Sequence, residues 1–354
     1  MRKTAAKLLA AAAIATSVVT VASGTAVADP STLPTLPLAQ DIVGVGSDTT
    51  QAVLNGLSVG YNASLPAGST LPRLYSWDAT GSSPITTKTG ATSIARPNGS
   101  GAGINALNTN TSTTVDFARS SRGPQLGDPA TDIFVTLGKD AVSWAAKSGG
   151  NAPSNLTTAQ LKGIYECTIT NWTQISATLP NATIKPFLPQ TNSGTRSFFL
   201  KAIGGATAVV PGACVTANPL VQENQGTDPV LNDANAVVPY SVAHYIGQVF
   251  NGHASGSDAQ GPLTIRDINS IVPVSTATPK VINSSFAATA YGRVIYNVVR
   301  EAEWTATDAH GVALRAIFGV GGWICTNGGA GSAIIKDYGF LALPNGACGS
   351  TTHI

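Results

Sequence analysis

The chain has 354 residues, with 20 Lys and Arg against 18 Asp and Glu, and only 11 % of it is charged while 43 % is hydrophobic. So small a net charge excludes an extended nucleic-acid or polyanion surface, so no nucleic-acid partner is expected. A chain this long buries roughly three-quarters of its unfolded surface and commonly divides into two domains.

Residues 1–28 read as an export signal: Arg2, Lys3 and Lys7 precede an apolar run, and "AVA" at 26–28 has the small-x-small form of a cleavage site. Cleavage after Ala28 would leave 326 residues with 17 basic against 18 acidic side chains. The run is short for a membrane span and no stop-transfer pattern follows. No Cys stands after the cleavage site as a lipid anchor would require. A secreted, extracellular protein is the expectation. A Pro-rich lead-in (29–40) follows, and then "DIVGVG" reads as a buried strand and "TTQAVLNGLSVGYN" as a helix with Thr49 or Thr50 near its cap. "RLYSWDA" is a strand, 79–99 a loop, "GSGAGINALNT" a short helix with a glycine-rich start, and "VDFARSSRG" a strand entering a turn. "DIFVTLGKDAVSWAA" is one long apolar strand or two.

Thr157 caps the next predicted helix, whose apolar face holds Leu161, Ile164 and Tyr165. "IKPFLP" is a strand, "SGTRSFFLKAIGG" a helix closed by glycines, and "NAVVPYSVAHYIGQVF" a strand followed by a helix. "GRVIYNVVRE" is a strand, "GVALRAIFGV" a helix, and "IIKDYGFLALP" a final short helix and strand. Alternating strands and helices predict α/β layers with mostly parallel sheets. Four cysteines, Cys167, Cys214, Cys325 and Cys348, suggest two disulfides. Three pairings are possible; Cys167–Cys214 and Cys325–Cys348 join sequence neighbours and are favoured. No C-x-x-C spacing supports a zinc site, and the four His are scattered, so neither metal nor cofactor is expected.

The informative stretches sit where strands turn into helices. In "PQTNSGTRSFFL", Ser193, Gly194 and Thr195 open a helix, and Arg196 follows. The first N–H groups of a helix lack internal partners, and its dipole places partial positive charge there, so such an end suits an anion. Gly194 admits a ligand to the backbone, the hydroxyls add donors, and an Arg196 guanidinium adds a fork. An ordinary Ser cap with a solvated arginine explains this one motif equally well. "GVGSDTT" repeats the design with Ser47, Asp48 and Thr49, and "NGSGAG" repeats it with Ser100. "DFARSSRGP" adds Arg119, Ser120, Ser121 and Arg122 at a strand end; for Arg119 a solvated basic edge is the favoured reading. Neither glycine-rich turn is a P-loop, because the lysine of that motif is missing.

Taken in order, these segments resemble the phosphate-binding proteins that serve ABC transporters, and "DIVGVGSDTT" is also similar to the start of the related DING proteins. "GSGAGINAL", "VDFARSSR", "LTTAQLKGIYECTITNWTQI", "NSGTRSFF" and "DYGFLALP" look like the family's later segments. The resemblance implies a type 2 periplasmic-binding-protein fold of the Venus-flytrap kind, with helices on both faces of its sheets. It implies one domain from residues 40–138 plus 286–354, a second from 139–285, and an anion in the cleft between them. The implied ligand contacts are Ser47, Asp48, Thr49, Ser100, Ser121, Arg122, Ser193, Gly194, Thr195 and Arg196. The implied partners are inorganic phosphate, with sulfate or arsenate as variants, and an ABC permease, and the implied state is a monomer.

Two positions depart from the family pattern. The acid that takes a proton from bound phosphate in the third loop is replaced by Ser121, and the arginine four residues before Ser193 is Pro189. Asp48 is the candidate replacement for the acid, with helix capping as its equal alternative, and Arg196 is the candidate replacement for the charge. The alternative function is a secreted phosphatase-like or other non-transport anion-binding protein. No G-x-S-x-G elbow or histidine base motif supports the enzyme.

Overall fold

The computed structural model describes residues 29, 35–215 and 221–354; the predicted export segment 1–28 lies outside them. Ile42–Gly46 (β1) is buried at every position, as a strand covered on both faces must be. Gln51–Ser64 (α1) follows and buries Val53, Leu54, Leu57 and Tyr61 along one stripe. Then come Leu74–Ser76 (β2), Ser100–Thr109 (α2), Phe117–Ser120 (β3) and Asp132–Lys147 (β4). Asn155–Leu156 (β5), Thr158–Tyr165 (α3), Lys185–Pro186 (β6), Gly194–Gly204 (α4), Ala236–Ser241 (β7), Val242–Phe250 (α5) and Leu263–Ile268 (β8) form the middle of the chain. Ser284–Ala287 (α6), Gly292–Arg300 (β9), Glu301–Thr305 (α7), Ala309–Phe318 (α8), Ala330–Asp337 (α9) and Thr351–Thr352 (β10) complete it.

The strand order is β2-β1-β3-β9-β4-β7-β6, with β8 and β10 also pairing β4 and β5 pairing β8. The flanking pairs β1–β2, β1–β3, β5–β8 and β6–β7 are parallel. Every antiparallel pair contains β4 or β9. The stretch that read as one strand or two is a single strand of 16 residues, with a register shift between Thr136 and Gly138. It changes partners along its length. Asp132–Ala141 pairs with β9, Val142–Ala145 with β7 and Trp144–Lys147 with β8.

The α/β expectation holds. Strand β8 escaped the sequence reading because "LTIRDI" places Arg266 and Asp267 inside it and leaves its middle only half-buried. The expected closing strand in "FLALP" is reduced to a bridge between Leu341 and Lys139. Thr157 caps α3 as expected, in a capping box with Gln160. The two disulfides are Cys167–Cys214 and Cys325–Cys348, the pairing that sequence proximity favoured. Among the described residues no helix is long and apolar enough to cross a membrane.

One close approach sets where α2 begins. A Cβ on Gly103 would lie 2.7 Å from Gly46 Cα and 3.1 Å from Val45 O, so α2 lies directly on the end of β1. Gly46 holds a φ of +120°, which a side chain would strain. Gly103→Ala should therefore push Ser100 away from β1 and destabilise the fold by about 1–3 kcal/mol, read as a lower urea midpoint with an unchanged m-value.

Candidate functional site

The end of β1 is fixed first. Arg119, fully buried on β3, donates from Nε to Ser47 O at 2.9 Å and from Nη1 to Ser76 Oγ at 2.7 Å and Trp77 O at 2.6 Å. It returns no edge to solvent, contrary to the favoured reading of its sequence. Burial lowers its pKa to about 10, which still leaves it charged at neutral pH. The first loop, Ser47 to Thr50, is thereby clamped by a cation that binds only carbonyls and a hydroxyl.

Four loops then meet. Ser121 N–H donates to Ser100 Oγ at 3.0 Å, and the two hydroxyl oxygens lie 3.3 Å apart. A Cβ on Gly194 would fall 2.3 Å from Ser100 Oγ and 2.4 Å from Ser121 Oγ, so only glycine fits where the fourth loop crosses the second and third. Gly101 N–H donates to Asn192 O at 3.1 Å across the same junction. Thr49 Oγ1 and Thr195 Oγ1 are 2.9 Å apart. Ser47, Asp48, Thr49, Ser100, Ser121, Ser193, Gly194 and Thr195 thus form one buried group.

The side chains of the two predicted arginines make their hydrogen bonds to other residues. Arg122 is held by Asp128 through two bonds of 2.6 and 2.7 Å. Arg196 donates from Nη1 to Pro189 O at 2.9 Å, while its N–H donates to the Ser193 cap at 2.9 Å. The capping reading of Ser193 is therefore correct, and the arginine beside it is bound to its own loop. Asp48 does not cap α1 with its side chain; its carboxylate accepts from Gln222 Nε2 at 3.1 Å and Asn224 Nδ2 at 3.3 Å.

The guanidinium in the group is Arg293 on β9, which sequence reasoning passed over. It donates from Nη2 to Thr195 Oγ1 at 3.0 Å and is paired with Asp140 of β4 at 2.7 Å. Glu223 was also missed: its Oε2 accepts from Thr49 Oγ1 at 2.6 Å. The signal for Arg293 was available, because it is the one charge ahead of the uncharged run VIYNVV in β9, although its partner Asp140 stands beside Lys139 in β4. No local signal marked Glu223. Ser47 Oγ, Thr50 Oγ1, Glu223 Oε1 and Arg293 Nη1 are buried without a hydrogen-bond partner among the described residues.

Behind the first loop lies His244, set aside earlier as scattered. Its Nδ1 is 3.1 Å from Thr49 O and its Nε2 is 2.6 Å from Asp258 Oδ1. Both ring nitrogens face acceptors, which calls for an imidazolium. Burial alone would lower its pKa, but Asp258, with Asp48 and the Thr49 carbonyl, outweighs burial and raises it to about 9. Burial raises Asp48 to about 8, helped by Asp258 and Glu223 and opposed by His244.

The fold is shared with known proteins. The profile of the PBP superfamily domain matches residues 46–298, most of the chain. The chain belongs to the PBP superfamily. No curated protein matches it in sequence. Among solved structures it is similar to an ABC-type phosphate transport receptor from Vibrio cholerae, with 19 % identity and a TM-score of 0.54 over 86 % of this chain and all of that one. It is also similar to a putative phosphate ABC transporter substrate-binding protein with bound phosphate from Clostridium perfringens, with 15 % identity and a TM-score of 0.58, covering 86 % of this chain and 99 % of that one. A phosphate-binding protein from Stenotrophomonas maltophilia matches at 15 % identity and a TM-score of 0.53 over 87 % and 91 % of the two chains. At these identities the likeness establishes the PBP fold.

The raised pKa values give a signed expectation. Both His244 and Asp48 bind protons more tightly in the folded state, so both contributions are lost as pH rises. The His244 contribution is complete below about pH 6.5 and gone above about pH 9, on the order of 3 kcal/mol. Urea unfolding should show lower stability at pH 9.5 than at pH 6.5, and His244→Gln should flatten that dependence.

Proposed function

We propose that the chain captures a tetrahedral oxyanion, inorganic phosphate first and arsenate or sulfate as variants, between two lobes and performs no chemistry on it. The lobes are residues 40–138 with 286–354 and residues 139–285. The single observation that carries this reading is the meeting of Thr49, Ser100 and Ser121 from one lobe with Gly194 and Thr195 from the other, beside the Arg293 guanidinium. These groups offer hydroxyls, a helix start and one cation, which is the donor set that an oxyanion needs. The hydroxyls bond one another, and a bound anion would replace those contacts. The chain crosses between the lobes within β4 and again at α6, so a rotation about those crossings would admit the ligand.

The phosphate-binding proteins among the structural neighbours support the substrate class. Residues 1–28 support export, and an ABC permease is the partner that those neighbours suggest. The chain would act as a monomer, because a clamp between its own lobes needs no second copy. The phosphatase reading lacks an activated nucleophile: His244 bonds a carbonyl and a carboxylate, leaving no ring nitrogen for a hydroxyl of the group.

Calorimetry on the exported chain should show saturable phosphate binding with one site, and no turnover of a generic phosphate ester. Thr195→Val, which removes one hydroxyl and keeps the shape, should weaken binding about tenfold, the equivalent of ~1.4 kcal/mol. A wild-type chain that binds neither phosphate, arsenate nor sulfate at millimolar concentration would defeat the proposal.

A further inference from the structure

We infer that His244 is a proton-operated clasp between the two proposed lobes: its imidazolium holds the first loop from the opposite lobe and favours the closed cleft only while the ring is charged. The inference rests on the anion-capture reading above. It concerns a residue behind the anion group, so His244 is a positioning residue.

The ring is fixed within its own lobe. Ser241 Oγ caps α5 and accepts from the His244 backbone N–H at 3.1 Å. Asp258 Oδ1 lies 2.6 Å from Nε2, and the same oxygen accepts from Gln248 Nε2 at 2.6 Å. Gln248 is held in turn, since its Oε1 accepts from the Tyr240 hydroxyl at 2.7 Å and its Nε2 donates to Asn224 O at 2.8 Å. Nδ1 reaches across to the other lobe. It lies 3.1 Å from Thr49 O, and Thr49 is the residue whose hydroxyl meets Thr195 in the anion group. Two residues before it, Ser47 O accepts from Arg119 of the first lobe. The first loop is thus gripped by a cation from each side, through two of its carbonyls.

The side on which the ring lets go is decided by its two acceptors. A neutral imidazole has one N–H and one lone pair. Asp258 is a carboxylate and the stronger acceptor, so the remaining proton stays on Nε2. Nδ1 then turns its lone pair on the Thr49 carbonyl, and attraction across the cleft becomes repulsion. Loss of one proton therefore breaks the bond between the lobes and spares the bond within one.

The charges around the ring set the sign. Burial works against the imidazolium, but Asp258, Asp48 and the Thr49 carbonyl favour it and hold its pKa at about 9. Asp48 and Thr49 belong to the other lobe, and opening takes both away while leaving Asp258. The closed state therefore binds the proton more tightly than the open one, and closure weakens as pH rises. His253 and Tyr338 line a small cavity with His244, but His253 Nε2 is 2.9 Å from Asp337 Oδ2 and its ring stacks on Tyr338 at 3.7 Å. Tyr240, which reaches Asp258 through Gln248, is kept neutral by burial.

The test is calorimetry with inorganic phosphate on the exported chain between pH 8 and pH 10, where phosphate remains a dianion. It compares the wild type with His244→Asn and His244→Gln. An Asn amide can stand where Nδ1 stands and donate to Thr49 O with no proton to lose. A Gln amide reaches instead to the place of Nε2 and serves Asp258. The wild type should bind phosphate at least threefold more weakly at pH 10 than at pH 8. Both variants should lose that slope, with His244→Asn binding as tightly as the wild type at pH 8 and His244→Gln as weakly as the wild type at pH 10. A slope common to all three chains arises elsewhere, Asp48 included, and a wild type no steeper than both variants overturns the clasp. Equal affinities for the two variants overturn it as well, since a ring that merely filled space would be replaced alike by either amide. Should neither variant fold, Asp48→Asn takes their place: its affinity should still fall between pH 8 and pH 10, and a constant affinity is the overturning result. A wild type that binds no phosphate at any of these pH values overturns the capture reading itself.

Discussion

The site hangs on one buried ion pair, Asp140 with Arg293, where β4 and β9 run side by side. Asp140 takes two bonds from the guanidinium, at 3.0 and 2.7 Å. It also accepts from Ser241 Oγ and from the first free N–H of α5, on Ala243. Two charges at this depth are tolerated because the valences of Asp140 are filled so fully, and Arg293 keeps only Nη1 without a partner among the described residues. The geometry that makes the pair tolerable also fixes everything around it. It ties β7 and α5 to β4, and it presents the guanidinium edge to Thr195 at the front of α4. Neither strand could carry its charge alone.

The hydroxyl-bearing loops were legible because their signal is local. Glycine beside serine at the point where a strand gives way to a helix is a statement about backbone space and unpaired N–H groups, and both are set by nearest neighbours in sequence. The cap at Ser193 was legible for the same reason. The charges were not, because an arginine's partner is decided by tertiary contacts. Arg122 and Arg196 stand within two residues of site hydroxyls, yet one is taken by Asp128 and the other by the Pro189 carbonyl. Arg293 is 98 residues from Thr195 and reaches it only because β9 lies between β3 and β4. Glu223 lies 174 residues from Thr49, in a stretch with no periodic pattern to mark it.

The pocket does not work by net positive charge. Arg119, Arg293 and His244 are matched around it by Glu223, Asp140 and Asp258, and Asp48, its pKa raised to about 8, adds little charge near neutral pH. In the proposed capture, attraction for an anion would come from oriented dipoles: hydroxyls, amides and the starts of helices, acting at close range where solvent is excluded. Such a site is sensitive to the shape and hydrogen-bonding character of its guest and little moved by overall charge. That fits a chain with few charged residues and many Ser, Thr, Asn and Gly. The same feature explains why a neutral composition excluded nucleic acid without excluding an anion.

The place of β9 has a consequence for the order in which the molecule can be made. It is inserted between β3 and β4, strands that emerge from the ribosome more than a hundred residues earlier. Until the chain through Arg300 is available, β3 has no neighbour on that side and the Asp140 carboxylate has no cation. The early segment therefore has to wait, open and incomplete, for the late one. A polypeptide built this way cannot complete the middle of its sheet until its synthesis is nearly finished.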